Sequence, residues 1–247
     1  MVNRKLEFER TTGCEYPIES HKMISIGLKS YSHSESLHQA NGKISERKQV
    51  SENGGALRSI TIDNKKYDDS TPPFVIAELG HNHQGSLETC LQMIRAAAYA
   101  GASAVKLQKR DNRNLFTEEA FNAPYNSENA FGDTYGAHRE ALEFGEAEYR
   151  ACIEEAKRNG VVFFSTAFDI QSANFLAKLE VPAIKIASGD LKSAHLLEHV
   201  SKLGIPLIVS TGGAELSDVD RAFNLLNKNC KNFAILQCTA GYPPKYE

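Results

Sequence analysis

The chain has 247 residues, 41% of them apolar and 24% charged, with a mean hydropathy of -0.38 and a net charge of -3. These values describe an ordinary globular protein and exclude disordered, collagen-like and coiled-coil chains. The balance of 28 Lys and Arg against 31 Asp and Glu gives no sign of a nucleic-acid partner, and no apolar run reaches the ~20 residues that a membrane span needs.

Five scattered cysteines without a CxxC pair read as reduced thiols. The charged start, Met1 to Arg10, has no secretory h-region, so the expected location is cytoplasmic. Residues 1–57 are polar, carry eight serines and show neither apolar period, which predicts a flexible leader. His21, His33 and His38 lie there at spacings that match no metal-ligand pattern. Residues 58–73 read as a small hairpin turning at Asp63-Asn64, followed by the extended lead-in Thr71-Pro72-Pro73.

From Phe74 the pattern becomes rhythmic. Strand-like runs at 74–79, 103–108, 161–166, 183–188, 206–210 and 233–238 alternate with helix-like segments at 86–100, 146–159, 171–180, 193–203 and 217–228. Ser86 is placed to cap the first helix, and Gly101, Gly160 and Gly204 are placed as helix stops. The 58-residue step between the second and third strand starts marks an insertion over 109–145, long enough to be functional. It contains the polar runs Lys109 to Arg113 and Tyr135 to Glu140.

Alternating strands and helices predict an α/β fold with a parallel sheet. No GxGxxG follows the first strand, which disfavours a dinucleotide-binding sheet. Alternation along the strands puts Val105 and Leu107 on one face and Lys106 and Gln108 on the other. It likewise separates Ile184 and Ile186 from Lys185. Glu78, Ser165-Thr166, Ser188, Ser210-Thr211 and Thr239 fall at or beyond carboxyl ends of strands, where a (β/α)8 TIM barrel carries its chemistry. Two lysines aimed into one cavity call for an anion between them, a phosphate or a carboxylate-phosphate. Each lysine alone could snorkel to water, Glu78 could be a structural ion-pair partner, and His83 could belong only to a turn.

At these residues the chain resembles the sialic acid synthase family. Phe74-Val75-Ile76-Ala77-Glu78-Leu79-Gly80-His81-Asn82-His83-Gln84-Gly85 is similar to IAEIGxNHxG, Ala104 to Gln108 to AVKxQ, and Phe163 to Phe168 to FxSTPF. Pro182 to Asp190 is similar to PAxKIxSGE, Ile208 to Gly212 to IxSTG, and Leu236 to Pro243 to LxHCTxxYP. The family condenses phosphoenolpyruvate with N-acetylmannosamine or a related aldose, giving a nine-carbon 2-keto sugar acid and phosphate. The resemblance implies that Lys106 and Lys185 hold phosphoenolpyruvate, with Ser188 and Ser210 as hydroxyl donors and Thr166 and Gln108 lining the pocket. It further implies Glu78 beside the sugar aldehyde, Asp190 at the acidic position of the fourth motif and Tyr242 shaping the sugar site.

A divalent metal, Mn2+ or Mg2+, and a homodimer are implied for the full-length enzyme. The family's metal-binding histidine motifs and its C-terminal antifreeze-like domain find no counterpart in residues 74–247. Asp190 for Glu, Gln237 for His, Ala240 for a polar residue and Gly213 for Met depart from the family pattern and bear on substrate identity. The expected architecture is therefore an incomplete barrel with six of eight strands, truncated after the sixth and bare at both edges. Two alternatives remain open: a Schiff-base aldolase using Lys185 or Lys106, and an inactive synthase fragment.

Overall fold

The computed structural model describes residues 23–25 and 58–241. The leader expected over 1–57, apart from 23–25, and Tyr242 lie outside the described residues. Strand β1 is Met23–Ser25, and the hairpin is β2 (Ser59–Ile62) with β3 (Lys65–Asp68). Asp63 and Asn64 both take positive φ, 50° and 59°, the backbone that a two-residue hairpin turn of the primed type requires. The parallel strands are β4 (Val75–Glu78), β5 (Ala104–Lys109), β6 (Val162–Ala167), β7 (Ile184–Ile186), β8 (Leu207–Ser210) and β9 (Phe233–Leu236).

The major helices are α1 (Leu87–Tyr99), α5 (Glu146–Arg158), α6 (Ile170–Lys178), α7 (Ala194–Ser201) and α8 (Leu216–Asn229). The Ser86 hydroxyl accepts from Thr89 N at 3.2 Å, as the sequence predicts for its cap. Gly101, Gly160 and Gly204 all have positive φ behind their helices, the left-handed stop that a side chain would strain.

Strands β4 to β9 lie side by side in chain order. A doubly wound sheet reverses its strand order at a switch point, and none occurs here, so the curled sheet is the wall of a barrel. Its outward residues, including Val105, Leu107, Phe163, Ile184, Ile186, Leu207 and Val209, bury against the helices. Its inward residues Ile76, Ala104, Phe164, Ala183, Ile208 and Ala234 form a second apolar cluster with Ile60, Ile62 and Phe74. The hairpin is thus a plug beneath the barrel floor. Thr61 N donates to Asn232 Oδ1 and Asn232 Nδ2 donates to Thr61 O, each at 2.8 Å, tying the plug to the turn before β9.

Three expectations need correction. The edge of the first barrel strand is covered, because Met23–Ser25 pairs antiparallel with Val75–Ala77. Residues 109–145 are not one long loop. They fold as α2 (Asn112–Leu115), α3 (Glu118–Asn122) and α4 (Tyr135–Leu142), capped by the side chains of Asp111, Thr117 and Thr134. The fourth and sixth barrel strands end at Ile186 and Leu236, and Ser188–Asp190 form a 3-10 turn.

Candidate active site

The inward positions above the apolar floor are polar. Pairing sets Glu78 opposite Lys106, Gln108 opposite Thr166, Thr166 opposite Lys185, and Lys185 opposite Ile208. Lys106 and Lys185 are only 3% and 5% exposed, so each ammonium depends on what surrounds it. Lys106 Nζ donates to Thr166 Oγ1 at 2.7 Å and to Leu107 O at 3.2 Å. Lys185 Nζ donates to Ser210 Oγ at 2.5 Å and to Ile186 O at 2.7 Å. The two sites are built alike. Each lysine caps the carbonyl of its own next residue and takes a hydroxyl two residues beyond its rung on the following strand.

Their electrostatics differ. Lys106 forms a close ion pair with Glu78, and the other Glu78 oxygen accepts from Gln108 Nε2 at 3.3 Å. Burial still lowers the Lys106 pKa against the opposing pull of Glu78. Lys185 has no carboxylate within ion-pair distance among the described residues. Burial first, and Lys106 second, push its pKa down to about 7. A buried cation without a counterion, beside a second cation and two hydroxyls, is a binding site for an anion. Asp190, in the turn after β7, is raised by burial to about 6, with Arg110 and Lys185 opposing. Ser188 Oγ accepts Gly212 N at 3.0 Å, so it shapes the neighbouring strand-end loop. Gly80 has φ of 54°, and a Cβ there would stand 3.3 Å from Glu78 Oε1. The close approach of this loop to Glu78 is why glycine occupies that position.

The rim is made by the insertion. Arg110 Nη2 donates to Gln108 Oε1 at 2.8 Å, and its guanidinium lies 3.6 Å from the Phe168 ring centroid. Glu143 accepts from Lys109 Nζ at 3.0 Å and from Arg110 N at 3.3 Å. Burial would raise the Glu143 carboxyl, but His81 and Lys109 hold it below its ordinary value. Tyr135 OH accepts from Arg139 Nη2 at 2.8 Å.

Glu78, Lys106, Gln108, Thr166, Lys185 and Ser210 therefore share one wall, with Ser188 and Asp190 in the turn beside it. Ser165 does not join them. It faces the helices and bonds Tyr149 OH at 3.0 Å, because it sits one residue out of register with Thr166. Thr211 donates to Leu236 O, which makes its hydroxyl part of the frame. His83 is buried and stacked on Phe144, and its Nδ1 accepts Gly85 N. Burial lowers its pKa to about 4, which fits a neutral turn residue. No sequence motif marks Arg110 or Glu143 individually, although the polar runs of the insertion point to this region. Among the described residues no three His, Cys, Asp or Glu side chains converge as a metal site. The divalent cation implied by the resemblance therefore has no ligand set there. None of the described helices is long and apolar enough to cross a membrane.

Residues 93–247, more than half of the chain, match the NeuB family. The chain belongs to the NeuB family. Within and beyond it, the chain is 37% identical over 172 residues to human N-acetylneuraminate-9-phosphate synthase, covering 70% of this chain and 48% of the human protein. It is 35% identical over 180 residues to N,N'-diacetyllegionaminic acid synthase of Legionella pneumophila, covering 70% and 51%. The crystal structure of N-acetylneuraminic acid synthetase from Leptospira borgpetersenii in complex with citrate superposes with a TM-score of 0.66. It has 32% identity and covers 77% of this NeuB chain and 62% of that one. The chain spans about half the length of the curated relatives it matches.

Proposed function

We propose that this NeuB chain carries the phosphoenolpyruvate pocket of a synthase that condenses phosphoenolpyruvate with N-acetylmannosamine or a related aldose. The products are a nine-carbon 2-keto sugar acid and phosphate. The observation that carries the reading is buried Lys185, a cation without a carboxylate partner among the described residues, set beside Lys106 and the Ser210 and Thr166 hydroxyls. An anion with both a carboxylate and a phosphate would answer two equivalent lysine sites at once. The synthase activities for which the relatives are named support the same chemistry.

In this reading Lys106, Lys185, Thr166 and Ser210 hold the anionic groups, and Ser188 keeps the loop at Gly212 close to them. C3 of phosphoenolpyruvate forms a bond to the sugar aldehyde carbon. Water adds at C2, and phosphate departs with cleavage of its C–O bond. Glu78, held between Lys106 and Gln108, is placed to orient the aldehyde and manage the proton on its oxygen. Asp190, near neutral pH in its titration, is a second proton-handling group at the mouth. Tyr242 in the sugar site, the divalent cation, the homodimer and the cytoplasmic location belong to the same proposal.

Phosphate release from phosphoenolpyruvate plus a panel of hexosamines and hexoses tests the proposal, and no release with any of them refutes it. The depressed pKa of Lys185 is the one observation favouring a lysine-amine aldolase. Borohydride trapping with pyruvate separates the two, since only that alternative leaves a covalent adduct.

A further inference from the structure

Glu143 follows the last residue of α4, and its side chain is only 10% exposed. One carboxylate oxygen accepts from Lys109 Nζ at 3.0 Å and from Arg110 N at 3.3 Å, at the end of β5. The other faces His81 Nε2 at 3.6 Å, and neither of those two buried atoms has a hydrogen-bond partner elsewhere among the described residues. Both contacts lead to Glu78. His81 lies three residues after it, across Gly80, where an added Cβ would stand 3.3 Å from Glu78 Oε1. On the second route Arg110 Nη2 donates to Gln108 Oε1 at 2.8 Å, and Gln108 Nε2 donates to Glu78 Oε1 at 3.3 Å. Glu78, Gln108, Arg110, Glu143 and His81 thus close a ring, with the backbone of Leu79 and Gly80 as its last link.

The ring fixes polarity as well as distance. A glutamine amide offers an acceptor at one corner and donors at the other, and its two orientations have nearly the same shape. Arg110 can only donate, so it takes the Gln108 oxygen and turns the nitrogen toward Glu78. The flipped amide would set its oxygen against the Glu78 carboxylate and its NH2 against the guanidinium, and both bonds would be lost. Glu143 anchors this arrangement from outside the barrel wall, through the backbone N–H of Arg110 on one side and the His81 turn on the other. We propose that Glu143 is a positioning residue for Glu78, holding its carboxylate in line with the reacting aldehyde by way of Gln108 and the His81 turn. The assignment rests on the proposed condensation and adds to it a residue of the insertion on which the chemical step depends.

Two measurements on the wild type, Glu143→Gln and Glu143→Asp test it. The first is solvent exchange of the Gln108 side-chain amide by NMR in the ligand-free protein, the signal being identified by its absence in Gln108→Leu. In the wild type it should exchange about tenfold slower than the amide of exposed Gln84. In Glu143→Gln the two rates should agree within about twofold. The second is phosphate release, where Glu143→Gln should lower kcat about tenfold or more and leave KM for phosphoenolpyruvate within about twofold. Glu143→Asp, which keeps the charge on a shorter stem, should recover part of both. Glu155→Gln is the control for lost stability, since it takes another buried carboxylate from Arg95 and Arg158, and both readouts should stay at wild-type values. A merely structural Glu143 would lower the unfolding midpoint and leave Gln108 exchange or kcat unmoved, and either result overturns the inference. Should Glu143→Gln fail to fold, His81→Asn opens the ring at its other end and the same kcat and KM criteria apply. A wild type that releases no phosphate sinks the parent reading, and amide exchange then decides by itself whether Glu143 positions the Gln108–Glu78 pair.

Discussion

Replacing Lys185 by Met separates binding from stability with opposite signs. In the ligand-free protein the Lys185 pKa falls from 10.5 to about 7. A fall of that size corresponds to about 5 kcal/mol of unfavourable charge burial. The unfolded chain binds the proton more tightly, so between pH 7 and 10.5 it carries more protons and stability rises with pH. Below pH 7 the full cost is present. Met removes that cost but leaves Ser210 Oγ and Ile186 O without their donor, a loss of ~2 kcal/mol. Lys185→Met is thus expected to be more stable than the wild type by ~3 kcal/mol at pH 7. The difference should shrink toward pH 10. Urea unfolding across pH 6–10, taken as the difference between the two proteins, isolates this one group. Added phosphoenolpyruvate should stabilise the wild type by ~3 kcal/mol at a hundredfold excess over its Kd and leave the variant unmoved. A Lys185→Met protein that is less stable at pH 7, with the wild-type pH dependence, would refute the uncompensated-cation argument.

Glu78→Ala should strand the Lys106 ammonium and cost ~3–5 kcal/mol in urea unfolding, together with loss of phosphate release. Asp190→Asn removes a carboxyl whose folded pKa, about 6, exceeds its ordinary 3.8. The wild type should therefore lose stability as pH rises from about 4 to 6, a loss absent from the variant's melting profile. Gly80→Ala forces a side chain into positive φ against Glu78 and should destabilise by ~1–2 kcal/mol, with turnover falling in parallel. Asn232→Ala unties the hairpin plug at a cost of ~1–2 kcal/mol, measured by the same unfolding, while phosphate release persists.

The inward set was legible because strand alternation is local. Once Lys106 lies between Val105 and Leu107, its direction is fixed without knowledge of any other strand. Strand order was equally readable from the βα rhythm. The pairing of Met23–Ser25 with β4 was not, since three residues in a polar segment carry no period and their partner is some 50 positions away. Helices α2 and α3, of four and five residues, are too short to show a helical period, and only their Asp and Thr caps announce them. Ser165 shows the opposite hazard, for a motif containing two adjacent hydroxyls presents only one of them to the cavity. Lys109 and Glu143 stand 34 positions apart and pair only because the insertion folds back over the strand end. That proximity is tertiary, and no spacing rule encodes it.

The plug beneath the floor also dictates when the barrel can be finished. Its partner Asn232 follows Thr61 by 171 residues. At ~5–20 residues per second, ribosomal synthesis separates the two by roughly 10–35 s. Throughout that interval Ile60 and Ile62 have no Ala234 to rest on. Nascent chains should therefore present this hairpin to chaperones, and the barrel interior should be among the last regions to gain protection from hydrogen exchange.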